Sequence, residues 1–293
     1  MIKIAIIGGA GIWHANSFSE MFNGYDRDLA QKNNYPLYSA RIEGARVTHL
    51  WDADKEKAGL LAKICGIENV VPKMEDVIGK VDGVIITDDL SMQHQKKAEP
   101  FLKAGIPAFI DKPLSTDIKE AETIIGLAKK YNCPMMSCSA LRYAKEVEAF
   151  LLKKDEIGDI LTGNTTCSGD LIFYGIHAFE QLYAVIGPGI KSVRNLGSEG
   201  KDMVVVTKKD GRQFILTVFK DIGYLFQMNL YGAKGWRQVV VEDSNYFYSN
   251  MLSKFVEMVK TKKMPFPPEE TLEVIKVLVL GRQSAQTRAE LSL

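Results

Sequence analysis

Two periodicities divide the chain. Up to about residue 140, short continuous apolar runs (2–7, 46–51, 69–71, 83–87, 106–110, 134–138) alternate with amphipathic segments of helical period. The helical segments are expected near 12–22, 54–65, from 74 onward, 91–104 and 117–131. Continuous apolar strands between amphipathic helices predict a parallel sheet covered on both faces. Residues 23–44 are polar and aromatic and break this rhythm, as an insertion between the first helix and the second strand. After about residue 157 the period falls to two, with strands expected at 159–167, 190–196, 202–207, 212–219, 224–231 and 236–241. Hairpin turns are expected at Lys209-Asp210-Gly211 and Gly232-Ala233-Lys234-Gly235. A helix at 176–186 interrupts these strands. Helices at 246–261 and 268–290 close the chain across the proline-rich segment 264–268. Strands grouped in this way after a βα half indicate an α+β unit. The expectation is an α/β protein with a dinucleotide-binding type domain over 1–140 and an α+β domain over 141–293. The second domain carries a mostly antiparallel open sheet, and the C-terminal helix is free to pack back on the first.

Composition narrows the class. With 293 residues, 46% apolar content, 25% charged residues and a net charge of +1, the chain reads as an ordinary globular protein. No basic balance points to nucleic acid and no apolar run approaches transmembrane length. The four cysteines, Cys65, Cys133, Cys138 and Cys167, lack a zinc-like or C-x-x-C spacing. Reduced thiols and a cytoplasmic location are expected.

Candidate chemistry lies at the ends of the apolar runs. The first strand stops at Gly8-Gly9-Ala10-Gly11 and a helix follows from Ile12, Trp13 and His14. Strand, glycine turn and helix form the context of a Rossmann fingerprint, in which the pyrophosphate sits on the helix amino terminus. The glycine spacing is irregular. Asp52 ends the second strand, where a carboxylate accepts hydrogen bonds from ribose hydroxyls and repels a 2′-phosphate, favouring NAD over NADP. The plainer role for Asp52 is a helix N-cap, which Asp54 could fill instead. A later strand ends on Asp111-Lys112-Pro113, presenting a lysine from stiffened backbone at the ligand-binding edge of the sheet. Thr87, Asp88 and Asp89 end another strand at that edge, with His94 beyond. These carboxylates and His94 have no metal-ligand spacing, so no metal site is expected.

Together these motifs resemble the glucose-fructose oxidoreductase, inositol dehydrogenase and MocA family. The resemblance rests on the glycine turn, Asp111-Lys112-Pro113 in place of Glu-Lys-Pro, and Thr87-Asp88-Asp89 with His94. It rests also on Ser139-Ala140-Leu141-Arg142-Tyr143 and Tyr174-Gly175-Ile176-His177. It implies an NAD-dependent oxidoreductase that transfers hydride between the nicotinamide and a sugar, polyol or related hydroxy compound. Lys112 and His177 would handle the hydroxyl proton, with Tyr174 beside them. Gly8, Gly9, Ala10, Gly11, Ile12, Trp13, His14, Asp52, Thr87, Asp88, His94, Asp111, Lys112 and Arg142 would line the cofactor. For Arg142 a structural ion pair is the plain alternative. Phe173 stands where many members carry an aspartate four residues before the histidine; Asp170 and Tyr174 are the substitutes within reach. That departure keeps two other readings open. One is a non-catalytic nicotinamide-binding sensor or partner protein; the other is a glycoside-cleaving enzyme that uses NAD transiently. A homodimer or homotetramer is implied as well, with no nucleic-acid or membrane partner.

Overall fold

The structure, a computed structural model, describes residues 1–88 and 91–293. Two compact units emerge. The first comprises Met1–Ser115, Lys119–Ser137 and Tyr248–Pro268, and the second comprises Thr116–Ile118, Cys138–Phe247 and Glu269–Leu293.

In the first unit, strands β1 (Ile2–Ile7), β2 (Ala45–Trp51), β3 (Asn69–Val70), β4 (Gly83–Ile86), β5 (Ala108–Ile110) and β6 (Met135–Met136) form one sheet. All adjacent pairs run parallel, in the order β3-β2-β1-β4-β5-β6. Helices α1 (Trp13–Asn23), α2 (Arg27–Lys32), α3 (Lys55–Cys65), α4 (His94–Lys103) and α5 (Ile118–Lys130) join them. The strand order reverses between β1 and β4, so their carboxyl ends flank the crevice where such sheets bind ligands. β1, β4 and β5 are buried almost throughout, as their unbroken apolar runs require. The segment expected to start a helix near Met74 makes only a 3₁₀ turn, Met74–Val77. The insertion folds its own short helix, α2, capped by Asp26, whose side chain accepts from the Leu29 N–H.

The helix that returns to this unit is the penultimate one, α8 (Ser244–Thr261), from Tyr248 onward. Gly83 permits it: a Cβ there would lie 2.7 Å from Val259 Cγ2. Phe255 packs against Phe109 of β5 at 6.1 Å between ring centroids, and Phe18 of α1 meets Phe109 at 5.9 Å. Each such fully buried side chain contributes about 1.5–3 kcal/mol.

The second unit holds α6 (Lys145–Lys153), β7 (Ile160–Ser168), α7 (Gly175–Ile186), β8 (Ile190–Asn195), β9 (Lys201–Lys208), β10 (Gln213–Phe219), β11 (Phe226–Gly232) and β12 (Gly235–Val240). It also takes the body of α9 (Pro268–Thr287) and β13 (Leu291–Ser292). The sheet order is β12-β11-β7-β10-β9-β8-β13. Pairing is antiparallel except between β7 and β10, which are parallel. α7 lies on one face, tied to β7 where Thr165 Oγ1 donates to the Ala178 carbonyl at 3.0 Å. The last helix stops earlier than the period suggests: Arg288 adopts φ 59°, and Leu291–Ser292 then pairs with β8.

Candidate functional site

The turn after β1 is built by glycines. Gly8, Gly9 and Gly11 take φ of 80°, 70° and 85°, a region that L side chains adopt at a cost of about 1–2 kcal/mol. A Cβ on Gly9 would stand 2.2 Å from the Thr87 carbonyl oxygen, so this glycine lets the turn close onto the end of β4. Thr87 braces the turn from the other side by donating Oγ1–H to the Gly8 carbonyl at 2.7 Å. Ile12 is the N-cap of α1 and offers no side-chain acceptor to the first-turn N–H groups. Trp13, the first helical residue, is 55% exposed beside this end.

Asp52 locks the turn to β2. Its Oδ2 accepts the Ala10 N–H at 2.8 Å and its Oδ1 accepts the Asp54 N–H at 2.7 Å. The N-cap role belongs to Asp54, which accepts from the Lys57 N–H. Each carboxylate oxygen accepts about two hydrogen bonds, so Asp52 retains acceptor capacity at the edge of the crevice.

At the end of β5, Asp111 is fully buried. Its Oδ1 accepts the Lys112 N–H at 2.7 Å, and its Oδ2 lies 2.6 Å from His14 Nδ1. Burial alone would raise its pKa, but the charge and hydrogen bond of His14, with Lys112 beside it, hold it below the usual carboxylate range. His14 Nε2 reaches the Tyr248 hydroxyl at 3.2 Å, so both ring nitrogens are engaged. The sequence singled out His14 and Asp111 separately; the structure joins them, and adds Tyr248, which the sequence reading missed. Lys112 is 7% exposed, and its ammonium has neither a hydrogen bond nor an ion pair among the described residues. The Lys112–Pro113 bond is cis.

His94, also buried, donates Nδ1–H to the Leu114 carbonyl at 3.1 Å, and its Nε2 has no partner among the described residues. Asp88 accepts from Ser91 and Lys97 and is held below the ordinary range against the effect of its burial. Asp89 lies outside the described residues. Among the described residues no cluster of His, Cys, Asp or Glu could hold a metal, and no helix is long and apolar enough to cross a membrane.

The second unit carries the remaining candidates. His177 sits in the first turn of α7, with Nδ1 2.7 Å from Ser139 Oγ and its ring against Phe226 at 5.4 Å. Ser139 is fully buried and also accepts the Leu141 N–H. The sequence looked to Asp170 or Tyr174 to replace the aspartate absent at Phe173. Asp170 instead accepts the Ile172 and Phe173 N–H groups, and Tyr174, 43% exposed, meets His177 edge-on at 6.1 Å. The Ser139 hydroxyl is the group within hydrogen-bond distance of Nδ1 in this set. Arg142 is committed to two carboxylates, Glu180 at 2.6 Å and Glu270 at 2.8 Å. A buried guanidinium needs such counter-charges, and the ion pair weighed against its cofactor role is the one the side chain makes.

A parallel sheet with a glycine turn at its switch point, in a chain whose second unit carries an open mixed sheet, defines a Rossmann-type dinucleotide-binding architecture. Residues 2–138 match the model described as "Oxidoreductase family, NAD-binding Rossmann fold". The match of this domain is to the model of the glucose-fructose oxidoreductase, inositol dehydrogenase and MocA family. Among solved structures, a putative myo-inositol dehydrogenase from Sinorhizobium meliloti is similar at TM-score 0.82 and 15% identity, covering 100% of this chain and 99% of that one. A probable dehydrogenase from Thermotoga maritima gives 0.82 and 15%, over 99% and 98% of the two chains. Myo-inositol dehydrogenase from Lactobacillus casei, in complex with NAD(H) and myo-inositol, gives 0.80 and 14%, over 100% and 97%. At these identities the likeness establishes the fold. No curated protein matches the sequence.

NAD fits the residues present. The left-handed glycines let the turn pack tightly against Thr87, Asp88 and the Lys57 and Lys97 side chains, and the first turn of α1 beside it has no side-chain cap. N–H groups so placed bind phosphate, and Asp52 stands at the adjacent strand end for ribose hydroxyls.

Proposed function

We propose that the protein is an NAD-dependent dehydrogenase acting on the CH–OH group of a sugar, polyol or related compound. The observation that carries this reading is Lys112, a buried lysine at the carboxyl edge of the sheet whose ammonium has no hydrogen bond or ion pair among the described residues. Gly8, Gly9, Ala10, Gly11, Ile12 and Trp13 would hold the dinucleotide, with Asp52 receiving its ribose. Bound there, the nicotinamide supplies the hydride acceptor. The chain must then manage the hydroxyl. Hydride leaves carbon only as the proton leaves oxygen, so a cation to stabilise the developing charge and a base near neutrality are both required. Lys112 suits the first task and His177 the second. Asp111, fixed by His14, holds the Lys112 backbone N–H, so it acts as a positioning residue. Ser139 performs that service for His177 from within the second unit.

Support for a polyol substrate comes from the Lactobacillus casei neighbour that carries myo-inositol. Asp52 supports NAD over NADP. The sensor reading draws on Phe173, and the Ser139–His177 contact weakens it. A second copy of this chain is the proposed partner, through the open face of the second sheet.

The test is steady-state turnover, with the dinucleotide affinity measured alongside. General acid–base groups contribute typically about 10²–10⁴-fold, so Lys112→Ala and His177→Ala should each lower kcat by about 100-fold or more. Dinucleotide binding should survive in both. Unchanged kcat in both variants would refute the assignment.

A further inference from the structure

One ion pair beside the glycine turn has no role in the reading so far. Lys97, in the first turn of α4, pairs with Asp88 just beyond β4, and the two side chains are 11% and 9% exposed. Its ammonium also stands 5.7 Å over the Trp51 ring at the end of β2. From there it lies 3.2 Å from the position that a Cβ on Gly8 would take. Lys97 therefore meets the ends of β1, β2 and β4 at the switch point. Stability does not account for it. Removing two charges from water offsets most of their attraction, and apolar replacements are often as stable. An ammonium has three N–H donors, and Asp88 is its one hydrogen-bonding partner among the described residues. Asp88 in turn shares its charge with the Ser91 N–H and hydroxyl. Lys55, over the same Trp51 ring at 5.4 Å, differs: it is held by the carbonyls of Asp52, Val71 and Pro72.

We infer that Lys97 is a phosphate-binding residue of the cofactor site, held over Gly8 by Asp88 and Trp51 so that its ammonium engages the dinucleotide pyrophosphate. The inference rests on the proposed use of NAD. A helix amino terminus supplies about half an elementary charge to an anion. A lysine adds a full one, as a compact point charge.

The experiment titrates the full-length wild-type protein, Lys97→Met and Lys97→Arg with NADH, ADP-ribose and adenosine by calorimetry. In Lys97→Met, NADH and ADP-ribose should weaken about tenfold, while adenosine, which has no phosphate, stays within about twofold. Lys97→Arg should recover most of the loss. Equal binding of NADH and ADP-ribose by Lys97→Met and wild type would overturn the inference alone. So would a proportionate loss of adenosine, which would mark Lys97 as shaping the pocket. Failure of the wild type to bind NADH or ADP-ribose would overturn the NAD reading, and this inference with it. Thermal melting of each variant separates loss of binding from loss of fold.

Discussion

The buried chain Asp111–His14–Tyr248 is where single residues decide most. A carboxylate at 1% exposure keeps its charge only because His14 stands 2.6 Å away and Lys112 donates its backbone N–H. Removing one member of a buried pair leaves the other uncompensated, at about 3–5 kcal/mol. Asp111→Ala should therefore be destabilised by that order at pH 7 in urea unfolding. The pH dependence has a definite sign. The folded pKa of Asp111 is depressed, so its contribution is complete above the unfolded value, about 3.9, and is lost as pH falls through the folded one. The gap between wild type and variant should narrow below about pH 4. Equal stability at pH 7, or a gap that persists undiminished in acid, would contradict this account. The residues themselves were legible: a histidine behind a glycine turn and an aspartate before Lys-Pro both suggest a ligand edge. Their pairing across 97 positions was not, and Tyr248, 234 positions from His14, left no local signal. Ser139 shows the same limit. It was visible within a motif, but its place against the His177 ring depends on how α7 docks.

Among the elements, the βα alternation was readable because a doubly covered parallel sheet writes itself as unbroken apolar runs. The glycine turn was readable in composition and irregular in spacing. The structure explains the irregularity by assigning each glycine a separate constraint. Gly9 makes room for the Thr87 carbonyl and Gly8 lies under Lys97, whereas a Cβ on Gly11 would stand 3.0 Å from Lys57 Cδ. α6 escaped notice because its buried positions, Val147 and Phe150, are few and it follows directly on a 3₁₀ turn. The parallel β7–β10 pair also lies beyond the reach of periodicity, which gives faces and not partners. The return of α8 to the first unit depends on Gly83, whose missing side chain is visible in sequence but whose neighbour is not.

At the scale of the molecule, the second sheet leaves one face open. Opposite α7, the positions Met203, Val205, Ile215, Thr217, Asn164, Thr166, Gln227, Asn229, Tyr231, Trp236, Gln238 and Val240 stand in register across five strands, with Lys201 at one end of β9 and Arg194 of β8 beside Val205 as charged residues at its edge. Met203, Ile215, Tyr231, Trp236 and Val240 are exposed on it. A face with an uncharged centre, aromatic side chains and charges at its edge matches the anatomy of protein interfaces. Sedimentation equilibrium should return a multiple of the 32.7 kDa chain mass, and a single-chain mass at micromolar concentration would count against a second copy as partner. Alternation in the sequence gave these strands, but their common face emerged only with the register.

The central claim is that the crevice binds NAD for alcohol oxidation, and a fluorescence titration with NADH and NADPH in parallel tests it most directly. Asp52 at the ribose end predicts saturable NADH binding and NADPH binding weaker by at least about tenfold. Saturation by NADH would then direct a search among polyols and sugars for reduction of NAD⁺. Binding of neither dinucleotide would leave the fold intact and contradict the dehydrogenase reading.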